Sequence, residues 1–141
     1  MLFRNEYYYL SNMYPCVLKL RIHGKPYIFK SAESAFQSMK NPSRISEFVE
    51  LNGYDAKKLG KRVNIRPDWN DVKDTIMLNI LRAKFTQNPD LQKRLMLSTY
   101  EIVEDNSWGD TYWGVCNGTG QNKLGVILMQ VREELRKQLL V

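Results

Sequence analysis

Residues 31–40, SAESAFQSMK, put a carboxylate, an aromatic ring, an amide and an ammonium into ten positions. On a helix, Glu33, Phe36, Gln37 and Lys40 fall at offsets of three, four and seven and therefore share one face. Such a face suits neither bulk water, where Phe36 would be wasted, nor an apolar core, where the charges would need partners. The wall of a cleft accommodates both kinds of group. So does a helix that packs Phe36 and leaves Glu33 and Lys40 at the rim. A second cluster, Asn106-Ser107-Trp108-Gly109-Asp110-Thr111-Tyr112-Trp113-Gly114, continues from Asn117 to Asn122. Flat rings there can stack on a base, an acid can serve a reaction, and glycines let backbone amides approach phosphate. Scaffolded loops often carry sites, although the same loop could simply pack its aromatics, with Trp113 as the plug. A third segment, Tyr9–Pro15, is polar and aromatic, and Tyr14-Pro15 would serve equally well as an ordinary turn.

These residues need elements to hold them. Val17–Ile22 alternates apolar and basic residues, His23-Gly24-Lys25-Pro26 gives a turn, and Tyr27–Lys30 returns, which predicts a β-hairpin. Ser31 is placed to cap a helix to about Lys40, with Glu33 in the first turn, where a carboxylate favours the positive helix end. Asn41-Pro42 stops it. Ser43 begins a second helix to about Leu51, and Asp55 a third to about Gly60. The longest helix is expected from about Pro67 to Gln87, with Val72, Ile76, Met77, Ile80, Leu81 and Phe85 in one buried stripe. Asn88-Pro89 breaks it before a helix marked by Leu91, Leu95 and Met96. A short strand is expected at Tyr100–Val103, and a last helix from Lys123 would bury Val126, Ile127, Val131, Leu135 and Leu139. The expected fold is α+β and helix-dominated, about six helices with a small hairpin or sheet, in one domain spanning residues 1–141.

Composition agrees with one core and excludes several classes. The chain has 141 residues, 43% hydrophobic and 11% aromatic, enough to bury roughly two thirds of the surface it exposes when unfolded. Cys16 and Cys116 lack metal-binding spacing, and His23 is the sole histidine, so neither a zinc site nor a Cys–His nucleophile pair is expected. No Rossmann or P-loop glycine pattern occurs. The net charge of +6 favours anionic partners, although Lys57, Lys58, Lys61, Arg62 and Arg66 also suit solvated helix faces. With no signal-peptide pattern and no long apolar run, a cytoplasmic protein without membrane association is expected.

The same segments carry a resemblance. YLSNMYP is similar to the opening of the NADAR (YbiA-like) family, and SAESAFQSMK resembles its SEHxFQxxK helix, with Ser34 where the family usually has histidine. Leu59-Gly60-Lys61-Arg62, Trp69 with Val72-Lys73 and Met77, and Lys84-Phe85 with Asn88 and Leu91 follow in the family's order. NSWGDTYWG and Gly120-Gln121-Asn122-Lys123-Leu124-Gly125, with Leu128-Met129 and Arg132, complete a series from Tyr9 to Arg132.

That resemblance implies an N-glycosidase cleaving the bond from ribose C1 to a base nitrogen, through an oxocarbenium-like transition state. It implies Glu33 as the carboxylate that stabilises the cation or activates water, and Asp110 as a second acid or ribose ligand. Lys40 would pair with Glu33 or phosphate, or attack the opened sugar as a Schiff-base nucleophile. Phe36, Trp69, Trp108 and Trp113 would contact the base, and Asn12, Arg62 and Asn122 the phosphate or ribose. The implied substrate is a phosphorylated N-riboside or ADP-ribose-type molecule, such as an aminouracil ribotide or ADP-ribosyl-guanine, possibly as a nucleic-acid adduct. No metal or cofactor is implied. A non-catalytic binder of an ADP-ribose-derived nucleotide is the alternative.

Overall fold

A computed structural model describes residues 1–139. They form five α-helices, two 3-10 segments and four short strands, so the described fold is helix-dominated α+β, as expected, with seven helical segments where about six were anticipated. The chain groups into a central unit, Asn12–Asn88, and a terminal unit that joins Met1–Ser11 to the segment from Pro89 onward.

In the central unit, β1 (Leu18–Ile22) pairs antiparallel with β2 (Lys25–Phe29), Leu18 opposite Phe29. The turn is His23-Gly24 alone, both residues left-handed at φ +50° and +78°, as the tightest hairpin loops require. The expected four-residue turn is therefore too long. Lys25 and Pro26 belong to β2, and a proline is tolerated on a strand with a free edge.

Helix α1 (Ala32–Ser38) starts where expected: Ser31 Oγ accepts the Ser34 N–H at 3.1 Å. It ends two residues before Lys40, which sits in the following turn. The segment after it is a 3-10 helix, Pro42–Glu47, with Pro42 in the first position, rather than an α-helix capped by Ser43. Helix α2 (Gly53–Gly60) begins ahead of Asp55, because Asn52 Oδ1 accepts the Asp55 N–H at 2.9 Å and is the true cap. Helix α3 (Trp69–Gln87) starts after Asp68, whose carboxylate takes two bonds from Arg66, at 2.6 and 3.0 Å, instead of capping. Met77, Ile80, Leu81 and Phe85 are buried as expected, Val72 and Ile76 half-buried.

In the terminal unit, α4 (Pro89–Leu97) buries Leu91 and Leu95. Helix α5 (Lys123–Gln138) buries Leu124, Ile127, Leu128, Val131 and Leu135, at spacings of three and four. Val126 lies off that stripe and is 52% exposed; Leu139 follows the last helical turn and is 72% exposed, so neither joins the core as expected. Arg132 donates to Ser98 Oγ and the Tyr100 carbonyl at 2.9 and 2.8 Å, while Arg136 donates to the carbonyls of Met96 and Ser98. Two guanidiniums thus serve carbonyls that the end of α4 leaves without helical partners.

The strand expected at Tyr100–Val103 does not form. Instead β3 (Asp105–Asn106) pairs in parallel with β4 (Val115–Cys116). The polar groups of the preceding segment go to a side chain: Asn122 Nδ2 donates to the Ile102 carbonyl and Asn122 Oδ1 accepts the Glu104 N–H, both at 3.0 Å.

Candidate active site

The central unit gathers five of the six site residues expected in it. Glu33 stands in the first turn of α1, 8% exposed, and its N–H donates to the Asn12 carbonyl at 2.9 Å. One turn on, Gln37 Nε2 donates to Glu33 Oε1 at 2.8 Å. The carboxylate is therefore held at the level of backbone and side chain. Asn12 Oδ1 and Gln37 Oε1 are buried and accept no hydrogen bond among the described residues, so two acceptors sit on the two residues that fasten Glu33. A buried acceptor left unpaired costs about 1–3 kcal/mol. A hydroxyl or amine donor is the chemistry that would match them.

Close packing against α2 fixes α1. A Cβ on Gly60 would lie 1.9 Å from Gln37 Oε1, and one on Gly53 would lie 3.2 Å from Glu33 Cβ. A methyl at Gly60 would displace the Gln37 amide that bonds Glu33, and one at Gly53 would meet Met13 Sδ at 2.5 Å. Phe36 and Trp69 pack at 5.0 Å between ring centroids with planes inclined by 53°, joining α1 to the start of α3. Lys40 is half-buried at the end of this face. Burial lowers its pKa, Lys57 and Lys61 lower it further by repulsion, and Glu33 opposes the shift. Arg62 is the sixth residue; it is exposed beyond the end of α2.

The terminal unit holds the remaining four. Asp110 Oδ1 accepts the N–H groups of Tyr112 and Trp113 at 3.1 and 2.9 Å, and the amide of Asn106 bonds both backbone groups of Asp110. One oxygen of this acid is spent on shaping the loop. Trp113 is half-buried and meets Tyr112 edge to face at 4.9 Å, whereas Trp108 is 63% exposed. Both ends of the Asn122 amide are committed to backbone, so its polar atoms do not point toward a ligand. The loop carbonyls of Tyr112 and Trp113 accept the Lys123 and Leu124 N–H groups at 3.1 and 2.9 Å. Those donors at the start of α5 are therefore already taken by the loop.

A family model described as the NADAR domain matches residues 2–136. The chain belongs to the NADAR domain family. It is 35% identical over 136 residues to a riboflavin biosynthesis protein of Vibrio vulnificus, covering 92% of this chain and 36% of that protein. It is 38% identical over 72 residues to N-glycosidase YbiA of Escherichia coli, covering 50% of this chain and 45% of that protein. The matched stretches thus span less than half the length of these relatives. The NMR structure of E. coli YbiA superposes with a TM-score of 0.81 at 29% identity, over 99% of this chain and 86% of that one.

Two buried charged residues of this NADAR domain received no role from the sequence. Lys84 is fully buried on α3, with Nζ 5.1 Å from the Phe85 ring and 5.8 Å from the Tyr14 ring. Burial lowers its pKa to about 8, against a partial upward pull from Cys16. The signal was present in the sequence: Lys84 falls seven residues after Met77, inside the apolar stripe. Glu104 is buried in the terminal unit, near enough to Gly114 that a Cβ there would lie 1.7 Å from Glu104 Oε2. No pattern around Glu104 marks it in the sequence. Among the described residues no group of His, Cys, Asp or Glu could hold a metal ion, and no helix is long and apolar enough to cross a membrane.

Proposed function

We propose that this NADAR domain is a hydrolase that breaks the C1–N bond of a phosphorylated N-riboside, acting in the cytoplasm. The observation that carries this reading is the α1 face, with a buried, doubly fastened Glu33, a half-buried amine and an aromatic pair within one unit. A module that only bound a nucleotide would have no need for the acid and amine together. The names of the relatives, an N-glycosidase and a riboflavin biosynthesis protein, agree with this chemistry.

In the proposed reaction, positive charge develops on the ribose as the bond to nitrogen lengthens. Glu33 supplies the opposing charge, or takes the proton of the water that adds to C1. The base leaves with a proton and ribose carries the new hydroxyl. Phe36 and Trp69 form an apolar face against which a flat base packs. The depressed pKa of Lys40 increases the fraction of neutral amine, which attack on an opened-sugar aldehyde would require.

Two substrate types fit: an aminouracil ribotide and ADP-ribosyl-guanine, the latter also as an adduct on nucleic acid. Incubating the protein separately with each and weighing the products separates them. Ribose 5-phosphate from the ribotide supports the first, and free ADP-ribose the second. No product from either, with tight ADP-ribose binding, would overturn the hydrolase in favour of a binder.

A further inference from the structure

The outer edge of β1 is partly covered by the chain itself. Gln87 Oε1 accepts the Lys19 N–H and Gln87 Nε2 donates to the Lys19 carbonyl, both at 2.8 Å. A planar side-chain amide thus pairs with this edge as a neighbouring strand would. Asn88 Nδ2 donates to the Val17 carbonyl at 3.1 Å and covers the start of the same edge. Two residues after Lys19, Arg21 stands opposite Pro26, which has no N–H to give. Pairs along an antiparallel ladder alternate between bonded and non-bonded, so the Arg21 N–H and carbonyl turn outward like those of Lys19. Among the described residues no partner meets them. Arg21 also borders a cavity of about 380 Å³ between β1 and α3, to which Leu20, Ile22, Met39, Ile76 and Ile80 give apolar walls. That volume lies within the range of small-molecule sites, roughly 300–1,000 Å³.

We propose that this cavity binds a planar nitrogen heterocycle carrying a hydrogen-bond donor beside an acceptor, as a nucleobase edge does. The acceptor takes the Arg21 N–H, the donor bonds the Arg21 carbonyl, and the ring packs between the apolar side chains of β1 and α3. The Gln87 amide makes the same pair of bonds one register step away. An extended peptide suits the place less well. Lys19 is already paired and the turn begins at His23, so an added strand would gain only the bonds of Arg21. Neither Glu33 nor any reaction enters this site, which stands apart from the glycosidase reading.

The test titrates the whole protein with adenosine and with its analogue dimethylated on the exocyclic amine, which keeps the ring and loses the donor. Backbone amides are followed by NMR. Adenosine should shift the Arg21 amide together with those of Ile76 and Ile80, and the dimethylated analogue should bind about tenfold more weakly. Arg21→Ala should leave the affinity unchanged, because the side chain is not used. Arg21→Pro removes the outward N–H and none of the β1–β2 bonds, and should weaken binding about tenfold. If proline disturbs the hairpin, the comparison of the two nucleosides decides alone. Equal affinity for both would overturn the site, as would millimolar adenosine that leaves the Arg21 amide unmoved. Shifts at Arg21 with a short extended peptide, and none with adenosine, would replace the heterocycle by strand addition.

Discussion

Glu33 and Asp110 are both acids in polar, aromatic surroundings, yet they are held in opposite ways. Glu33 rides on a helix whose first-turn N–H groups are met by the Asn12 carbonyl and the Ser31 cap, and a neighbouring group serves the carboxylate: Gln37 donates to it. Asp110 sits in a loop without regular structure, and its carboxylate serves the backbone, taking the N–H groups of Tyr112 and Trp113. A helix can present a side chain at no cost in hydrogen bonding. A loop must draw on its own side chains to satisfy its backbone. The first acid is served by its neighbours, and the second is partly architecture.

That contrast can be tested, beginning with the largest effect. Glu33→Gln keeps an acceptor for Gln37 and removes the charge, so turnover should fall by about 10²–10⁴ while the melting temperature holds. Equal turnover would remove Glu33 from the chemistry. Gly60→Ala inserts a methyl where Gln37 Oε1 already lies, and Gly114→Ala does the same against Glu104. Each should cost about 1–3 kcal/mol in denaturant unfolding, the first also reducing activity through α1. Asp110→Asn preserves the Oδ1 acceptor and should leave stability within about 0.5 kcal/mol, whereas Asp110→Ala should lose about 1–2 kcal/mol. If the two behave alike, the loop does not depend on that oxygen.

Lys84 offers a pH test of the helical side. Its folded pKa, about 8, lies below the unfolded value near 10.5, so the unfolded chain binds more protons between those values and stability rises with pH across that window. Below pH 8 the burial penalty is complete, on the order of 3 kcal/mol. Lys84→Met should therefore stabilise the protein at pH 7 and flatten the rise between pH 8 and 10, read from urea midpoints. Ser31→Ala should cost about 1 kcal/mol in the same unfolding measurement, through loss of the α1 cap.

The same division governs what could be read from the sequence. The Glu33 helix, its cap and its mixed polar and aromatic face were legible, because period and capping are local properties. The stripe of α3 was legible too, and with it the odd lysine at position 84. Helix starts failed where two capping candidates compete, as at Asn52 and Asp55, or where a carboxylate prefers an arginine, as at Asp68. The loop was recognised as a place of interest but not in its detail. Its hydrogen bonds join residues far apart, Asn122 to Ile102 and Trp113 to Leu124, and no periodicity encodes them. Glu104 escaped for the same reason.

The carbonyls of Tyr112 and Trp113 that receive the first amides of α5 also have a kinetic consequence. First-turn helix amides ordinarily have no partner and exchange their hydrogens quickly. Here Lys123 and Leu124 are closed off by the loop, so they should exchange only when it opens, together with the Trp113 amide held by Asp110. Loop and helix start would then behave as one cooperative opening unit.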